Sequence, residues 1–441
     1  MSRTVTIVGG GITGLAAAWE ALNRGDSVRV LEASDHFGGL IRTSPVELPG
    51  GDALVIDEAA DAFLARVPEA VDLCRELGLE DQFTQPAAGR AMVHTPGGLK
   101  WFPAGSVLGV PLDLDDLQES GLLSDAGMAA VRAESGREDS ALTEDASVGG
   151  FLRARFGNEL VDRVVGPLVG GISAGDVDRM SLRATTPQIA DAAAVGGCLT
   201  DELRRRASSA PAGPVFHGLR GGTGTLIDAL VEQLGDRGAV LETNTSVESL
   251  EALDADRLVL TTPAATSARM LAGTSATSVE LLGSIETVSV VLVTLVYDRL
   301  DLPDGASGYL VPRDSGQFLA AVSWGSTKWA HWDDGRHSVL RASAGHRDDQ
   351  RVCEMTDEEI VAGMLADIAT TSGLDTAPVA TRVSRWNDGF HQYDVGHLDL
   401  VDRIDEALGH DTDGRIRVAG SAYRGVGIPA CIRQGRAAVV D

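Results

Sequence analysis

Apolar residues along this chain fall into two rhythms. Near the amino terminus, short β-branched runs alternate with stretches of helical period; in the second half, longer strand-like runs follow one another. Thr4 to Val8 is the first such run. Glycines follow at positions 9, 10, 11 and 14, Ile12 to Arg24 has a helical pattern, Gly25 sits where a helix-ending glycine belongs, and Ser27 to Leu31 returns as a strand. This is a βαβ unit. The rhythm recurs after the glycine-rich stretch His217 to Thr225, with a helix over Leu226 to Leu234, a strand around Val240 to Val247 and another over Arg257 to Leu260. Ile416 to Val418 is a last strand, followed by a glycine loop and a helix starting near Ile428. The chain is therefore expected to re-enter its first sheet. Pro68 to Leu77 reads as a helix opened by proline and closed by Gly78. Residues 90–101 read as a hairpin around Pro96-Gly97-Gly98. Val148 to Val169 and Asp201 to Ala207 read as helices, and 287–297, 318–324 and 337–343 as strands of an antiparallel sheet.

The glycine spacing has separable physical uses. Gly9 permits a tight turn, Gly11 lets backbone approach a pyrophosphate, and Gly14 lets the helix pack against the sheet, with Gly10, Ile12 and Thr13 completing the loop. The helix N-terminus offers free N–H groups and partial positive charge to phosphates. Glu32, at the end of the second strand with Ala33 beside it, is placed to accept from a ribose hydroxyl and would repel a 2′-phosphate. Gly38 and Gly39 follow closely and suit a longer, bent cofactor such as FAD; the bland alternative is a plain loop.

Charge narrows the partners. With 37 basic against 64 acidic residues, the formal charge is -27, which disfavours nucleic acid. Residues 111–150 carry an acidic run that reads as a solvated helical face, and Arg204 to Arg206 form a basic cluster that reads as solvent-exposed, with an anionic partner as the alternative. The 4 cysteines, Cys74, Cys198, Cys353 and Cys431, lie far apart and match reduced thiols of a cytoplasmic protein. The 9 histidines form no metal-binding pattern, so no metal is expected. The longest apolar run is too short to span a bilayer, which leaves a peripheral association with the inner face of the cell membrane open.

Taken together, Gly9 to Gly14, Glu32, Gly38-Gly39 and the Ala419-Gly420 loop resemble the flavin amine oxidase and protoporphyrinogen oxidase superfamily. Gly166 to Asp176 followed by Met180 to Ala184, and Tyr423 to Ile432, resemble its porphyrinogen oxidases, as do Trp386 and the Gly396-His397 pair. The acidic, Ala/Gly/Asp-rich chain is similar to actinobacterial members that form coproporphyrin. The resemblance implies an FAD-dependent oxidation of coproporphyrinogen III, a late step of heme biosynthesis. Six hydrogens leave the ring in three hydride transfers to the flavin, and O2 resets the flavin and yields H2O2. No general base is implied. It also implies that Arg42 meets phosphate or the flavin edge, that Asp57, Glu58, Ala59 and Ala60 line the isoalloxazine, and that the Val247 backbone meets adenine. Trp386, Gly420, Val426, Gly427 and Ile428 belong beside the flavin; for Trp386 the alternative is a core aromatic. Arg90 is the candidate propionate partner, with a surface arginine as the alternative, and Lys100 and His94 rank behind it. Transfer of product to the next heme-pathway enzyme is also implied, and oligomeric state stays open. Family members continue the final helix past the equivalent of Asp441, so a shortened helix that loosens FAD is expected.

The expected fold is α/β. It comprises a discontinuous Rossmann-like FAD-binding domain over 1–85, 210–275 and 405–441, a mainly helical insert over 90–205 and an antiparallel-sheet substrate domain over 276–404. Three rival functions remain: a protoporphyrinogen IX oxidase, a flavin amine oxidase or carotenoid desaturase, and a non-catalytic FAD- or porphyrin-binding protein.

Overall fold

The β-branched runs pair as their burial demands. In the structure, a computed structural model describing residues 3–209 and 213–440, five strands form one sheet in the order Val240–Glu242, Ser27–Leu31, Thr4–Val8, Arg257–Leu260 and Ile416–Val418. Every pairing is parallel, so both faces must be covered. Alternation along one strand divides the work. Val259 joins the core under the helices Ile12–Asn23, Gly224–Asp236 and Ile428–Ala438, whereas Leu258 and Leu260 face the helices Ala264–Met270, Ala276–Gly283 and His397–Asp411. Gly25, at φ +85°, ends the first helix, where an L-residue would be strained. The strand expected over 240–247 stops at Glu242. Beyond it, Asn244 and Thr245 donate backbone N–H groups to the carbonyls of Ser34 (2.7 Å) and Glu32 (2.8 Å), so the segment still follows the second strand.

A second sheet has seven strands in the order Ala380–His391, Thr287–Asp298, His337–Ala344, Leu319–Trp324, Ala306–Leu310, Arg90–Thr95 and Gly98–Trp101. Its pairs are antiparallel except Ala306–Leu310 with Arg90–Thr95. The 90–101 hairpin, grouped by sequence with the helical insert, is thus an edge of this sheet. Its alternation explains why: Met92 enters the sheet's core and the next residue, Val93, enters the core of the helical region. The hairpin is the plate between the two.

The helical region carries one departure from the expected pattern. The stretch read as one helix from Val148 to Val169 breaks at Gly157 (φ +82°), and Val161–Gly170 winds as a π-helix with Pro167 inside it. Proline supplies no N–H to an α-helical ladder, and a wider turn absorbs the defect. A short turn at Gly171–Ser173 follows and ends at Ala174 in the left-handed region (φ +52°). Arg204, Arg205 and Arg206 are spent on Asp201 and Glu202 of their own helix, in agreement with a solvated face. The expected boundary residues 1, 210 and 441 lie outside the described residues.

Candidate functional site

The amino-terminal turn is tight at three of its glycines and open at the fourth. A Cβ on Gly9 (φ +110°) would lie 2.7 Å from Thr261 Oγ1, one on Gly10 2.4 Å from the Phe37 ring, and one on Gly14 2.0 Å from the Gly9 carbonyl. A Cβ on Gly11 would meet nothing nearer than the Gly38 carbonyl and Gly39 Cα, both at 4.0 Å. Gly38 (φ +116°) and Gly39 (φ +60°) hold this distance because the Gly38 N–H donates to the Gly10 carbonyl at 2.9 Å. Gly11, Gly38 and Gly39 therefore line a side-chain-free cradle. Gly11 is also the N-cap of the helix Ile12–Asn23, whose first turn has no side-chain cap and no acid among the described residues. Backbone N–H groups and the helix dipole are left for an anion. Ile12 and Thr13 are buried behind the turn.

Glu32 does more than wait for a ribose. Its carboxylate accepts the Gly10 N–H at 2.6 Å and the N–H and hydroxyl of Ser34 at 2.8 Å each, fixing the turn while keeping unused acceptor capacity. Ala33 is exposed beside it, and Val247 packs at the margin of the second core of the parallel sheet, just past the segment bonded to Glu32 and Ser34.

The residues expected along a flavin ring divide. The carboxylate of Asp57, 1% exposed, accepts from the Thr43 hydroxyl (2.6 Å) and from the Thr223 N–H (2.8 Å) and hydroxyl (2.9 Å), which anchors the start of the helix Gly224–Asp236. Burial raises its pKa. Its side chain thus has a structural post, and only the half-buried 58–60 stretch is left to meet a ring. Glu58 takes the hydroxyls of Ser44 (2.6 Å) and Ser384 (3.2 Å) and pairs with Arg42 at 3.2 Å, whose side chain is 50% exposed. The Ala59 carbonyl receives Arg341, and the Ala60 carbonyl receives the Thr223 hydroxyl at 2.8 Å. Just beyond, Asp61 pairs with Lys328 (3.0 Å) and Arg341 (3.4 Å). Burial opposes its ionisation, yet these two cations hold its pKa below the ordinary value. Sequence reasoning missed this triad, since its members are far apart in the chain and belong to no motif. Trp386 is half-buried, and its Nε1 has no hydrogen-bond partner among the described residues. Gly389 bridges it to Leu40, since a Cβ there would lie 3.3 Å from Trp386 Cβ and 3.5 Å from Leu40 Cδ2.

The carboxy-terminal turn meets the amino-terminal one. A Cβ on Gly420 (φ +134°) would be 3.6 Å from Thr13 Oγ1, and one on Gly435 would be 2.2 Å from the Thr13 carbonyl. The first and last helices are in backbone contact. Val426 and Gly427 are exposed, Ile428 is buried, and Gly427 is the N-cap of a second helix with no side-chain cap and no acid in its first turn. Two glycine turns, each leading into an uncapped helix, thus meet at Thr13, and the Gly38-Gly39 pair lies against the first of them at Gly11. Such a set suits a molecule with a pyrophosphate and an electron-poor ring, as in FAD.

Arg90 turns its guanidinium to residues outside this cluster. Its guanidinium donates to the Phe102 carbonyl at 3.0 Å, reaches Asp116 at 3.4 Å and lies 5.1 Å over the Trp101 ring. Its side chain is 40% exposed. Lys100 donates to the Gly121 carbonyl, and His94 faces the Thr371 carbonyl at 3.3 Å.

Residues 12–441 match the family described as flavin containing amine oxidoreductase. Coproporphyrinogen III oxidase of Bacillus subtilis (strain 168) is 31% identical over 466 aligned residues, which cover 100% of this chain and 97% of that protein. The Mycobacterium tuberculosis (H37Rv) coproporphyrinogen III oxidase is 31% identical over 455 residues, with 100% and 97% covered. Among solved structures, a protein from Exiguobacterium sp. 255-15, provisionally assigned as a protoporphyrinogen oxidase, superposes with a TM-score of 0.88 at 30% identity over 99% of this chain and 98% of its own. Putrescine oxidase shares the fold at a TM-score of 0.67 and 19% identity, over 99% of this chain and 98% of its own.

Proposed function

The chain belongs to the flavin containing amine oxidoreductase family, and from that premise we propose that this FAD-dependent oxidoreductase converts coproporphyrinogen III to coproporphyrin III. The observation that carries the reading is the side-chain-free cradle lined by Gly11, Gly38 and Gly39 at the uncapped N-terminus of the helix Ile12–Asn23. The names of the relatives over the full chain support the substrate.

When bound, FAD would supply the two-electron acceptor that the loss of six hydrogens from the ring requires, with O2 as the final oxidant and H2O2 as its product. The residues of the chain do the rest. The 9–14 turn and the helix behind it hold pyrophosphate through backbone N–H groups. Glu32 accepts from the adenosine ribose, the 244–247 segment flanks adenine, and Arg42 pairs with phosphate or the ring edge. Glu58, Ala59 and Ala60, Trp386, and Gly420 with Val426 to Ile428 bound the ring and exclude water from it. Pyrrole N–H protons exchange with solvent, so no side chain is assigned as a general base. Arg90 gives a propionate a local cation. Over more than about 8–10 Å, salt screens the acidic remainder of the surface.

A cytoplasmic enzyme, with a peripheral membrane contact left open, is in keeping with four cysteines that form no disulfide. No helix among the described residues is long and apolar enough to cross a membrane.

The test is a visible spectrum of the purified chain followed by parallel turnover of coproporphyrinogen III and protoporphyrinogen IX, read as porphyrin fluorescence and O2 consumption. Bound flavin and faster turnover of coproporphyrinogen are expected. Faster turnover of protoporphyrinogen reverses the substrate choice. Bound flavin without turnover of either would leave a carrier. A chain that cannot be loaded with FAD ends the reading.

A further inference from the structure

The segment from Gln392 to His397 follows the strand Ala380–His391 and is gripped on two sides. On one side stands the helical region. The Tyr393 carbonyl accepts the Ser181 N–H at 2.7 Å, Gln392 Nε2 donates to the Ser173 carbonyl at 3.0 Å, and Arg179 pairs with Asp394 at 3.1 Å. The Gly396 N–H donates to Asp145 at 2.9 Å. These partners include the turn after the π-helix and the residues just beyond it.

On the other side stands the carboxy-terminal glycine turn. The Tyr393 hydroxyl donates to the Ser421 carbonyl at 2.8 Å and accepts the Gly425 N–H at 3.0 Å. Its ring stacks on His397, with centroids 3.9 Å apart and planes 14° apart. His397 Nε2 lies 2.8 Å from the Tyr423 carbonyl, which can only accept, so the proton is on Nε2. Burial keeps the phenol of Tyr393 protonated, as its donor role requires, and burial pushes the pKa of His397 down, leaving one N–H on a neutral ring. Two stacked side chains thus hold three backbone groups of the 421–425 turn, which runs directly into the uncapped helix at Gly427.

We propose that Tyr393 and the His397 stacked on it are positioning residues that together hold the 421–425 turn in its flavin-receiving conformation, Tyr393 also tying that turn to Ser181 of the helical region. The proposal rests on the reading of residues 420–428 as part of the flavin site.

The experiment measures FAD dissociation constants for the full-length chain and two variants. Tyr393→Phe keeps the stacked ring and removes the hydroxyl from both of its partners. Tyr309→Phe is the control: it removes another buried hydroxyl, bonded to Thr371 at 2.9 Å within the core of the antiparallel sheet. Tyr393→Phe is expected to weaken FAD binding about tenfold, the scale of a hydrogen bond or two, while Tyr309→Phe stays within about twofold of the unmodified chain. Loss of stability alone would lower both thermal midpoints and leave FAD affinity alike in the two variants; that result, or unchanged affinity in Tyr393→Phe, overturns the proposal. If Tyr393→Phe does not fold, His397→Phe keeps a stacked ring, removes the donor to Tyr423 and carries the same expectation, with unchanged FAD affinity again overturning it. A wild-type chain that binds no FAD would instead overturn the flavin reading beneath it.

Discussion

Gly11 and Gly14 are two residues of one type in one turn, and their substitutions separate two kinds of damage. At Gly14 an added methyl collides with the Gly9 carbonyl at 2.0 Å, so the protein itself must deform. At Gly11 the methyl has no protein atom nearer than 4.0 Å and instead enters the cradle. Gly11→Ala is therefore expected to lower the thermal midpoint of the FAD-free chain by no more than about 2 °C, since no contact is lost and the only cost is that alanine caps a helix less well than glycine does. FAD affinity should fall at least tenfold. A stable variant with undiminished FAD affinity would place the phosphates elsewhere. Arg90 makes a second residue-scale case. Its guanidinium already serves the Phe102 carbonyl and Asp116, so Arg90→Ala removes packing on Trp101 as well as a cation. Steady-state kinetics should show a several-fold rise in KM for coproporphyrinogen with FAD content unchanged. An unchanged KM would make Arg90 a structural arginine.

Between elements, the decisive contact joins the first helix to the last. Gly435 brings the Ile428–Ala438 helix so close that a Cβ would lie 2.2 Å from the Thr13 carbonyl, and Gly14 sits in the same turn of the first helix. Gly435→Val should force the two helices apart and cost about 1–3 kcal/mol, read as a lower thermal midpoint with earlier release of flavin. An unaltered midpoint would mean that the last helix has room to move. This approach also shows where sequence reading succeeds and stops. The five strands of the parallel sheet, the strands at 287–297, 318–324 and 337–343, the helix ends at Gly25 and Gly78 and the glycine turns were legible because each depends on local period or local backbone angle, whereas the strands Ala306–Leu310 and Ala380–His391 went unread. Asp57 was legible as a position near the site, yet its carboxylate turns to Thr43 and Thr223, a partnership set by the fold and by no spacing in the chain. The hairpin at 90–101 was legible as a hairpin, whereas its place on the sheet edge was not: alternation assigns Met92 and Val93 to opposite faces without naming what covers either face. The π-helix was hidden by the opposite problem, because its apolar period over Val161–Gly170 mimics an ordinary helix and only Pro167 hinted otherwise. The triad of Asp61, Lys328 and Arg341 and the Tyr393–His397 stack unite residues with no common motif.

For the molecule as a whole, buried imidazoles set an acid limit. Burial, aided by the nearby His397, holds His391 down to about 4 from an ordinary 6.5. His331, His346 and His397 are displaced downward too, burial being the leading cause in each. As pH falls, the unfolded chain takes up these protons first. Stability is therefore full above about 6.5 and drains as pH drops toward about 4, with His391 alone accounting for on the order of 3 kcal/mol. The acids held well below their ordinary values, such as Glu202 at about 2, lose their pairing at lower pH, whereas Asp57 and Glu134, raised by burial, offset part of the histidines' loss as pH falls. Thermal midpoints across that window should fall for the unmodified chain and fall less steeply for His391→Asn; equal slopes would remove His391 from the account.

The order of the parallel sheet has a bearing on how the molecule is made. Val5 pairs with Arg257, and Leu258 in turn pairs with Ile416. A ribosome adding about 5–20 residues per second therefore leaves the opening strand with one edge bare for roughly 10–50 s. During that wait the nascent chain offers an unpaired, β-branched edge to any neighbour. Ligand capture can only come late in such a biogenesis, and slow maturation belongs to this strand order as much as the finished fold does.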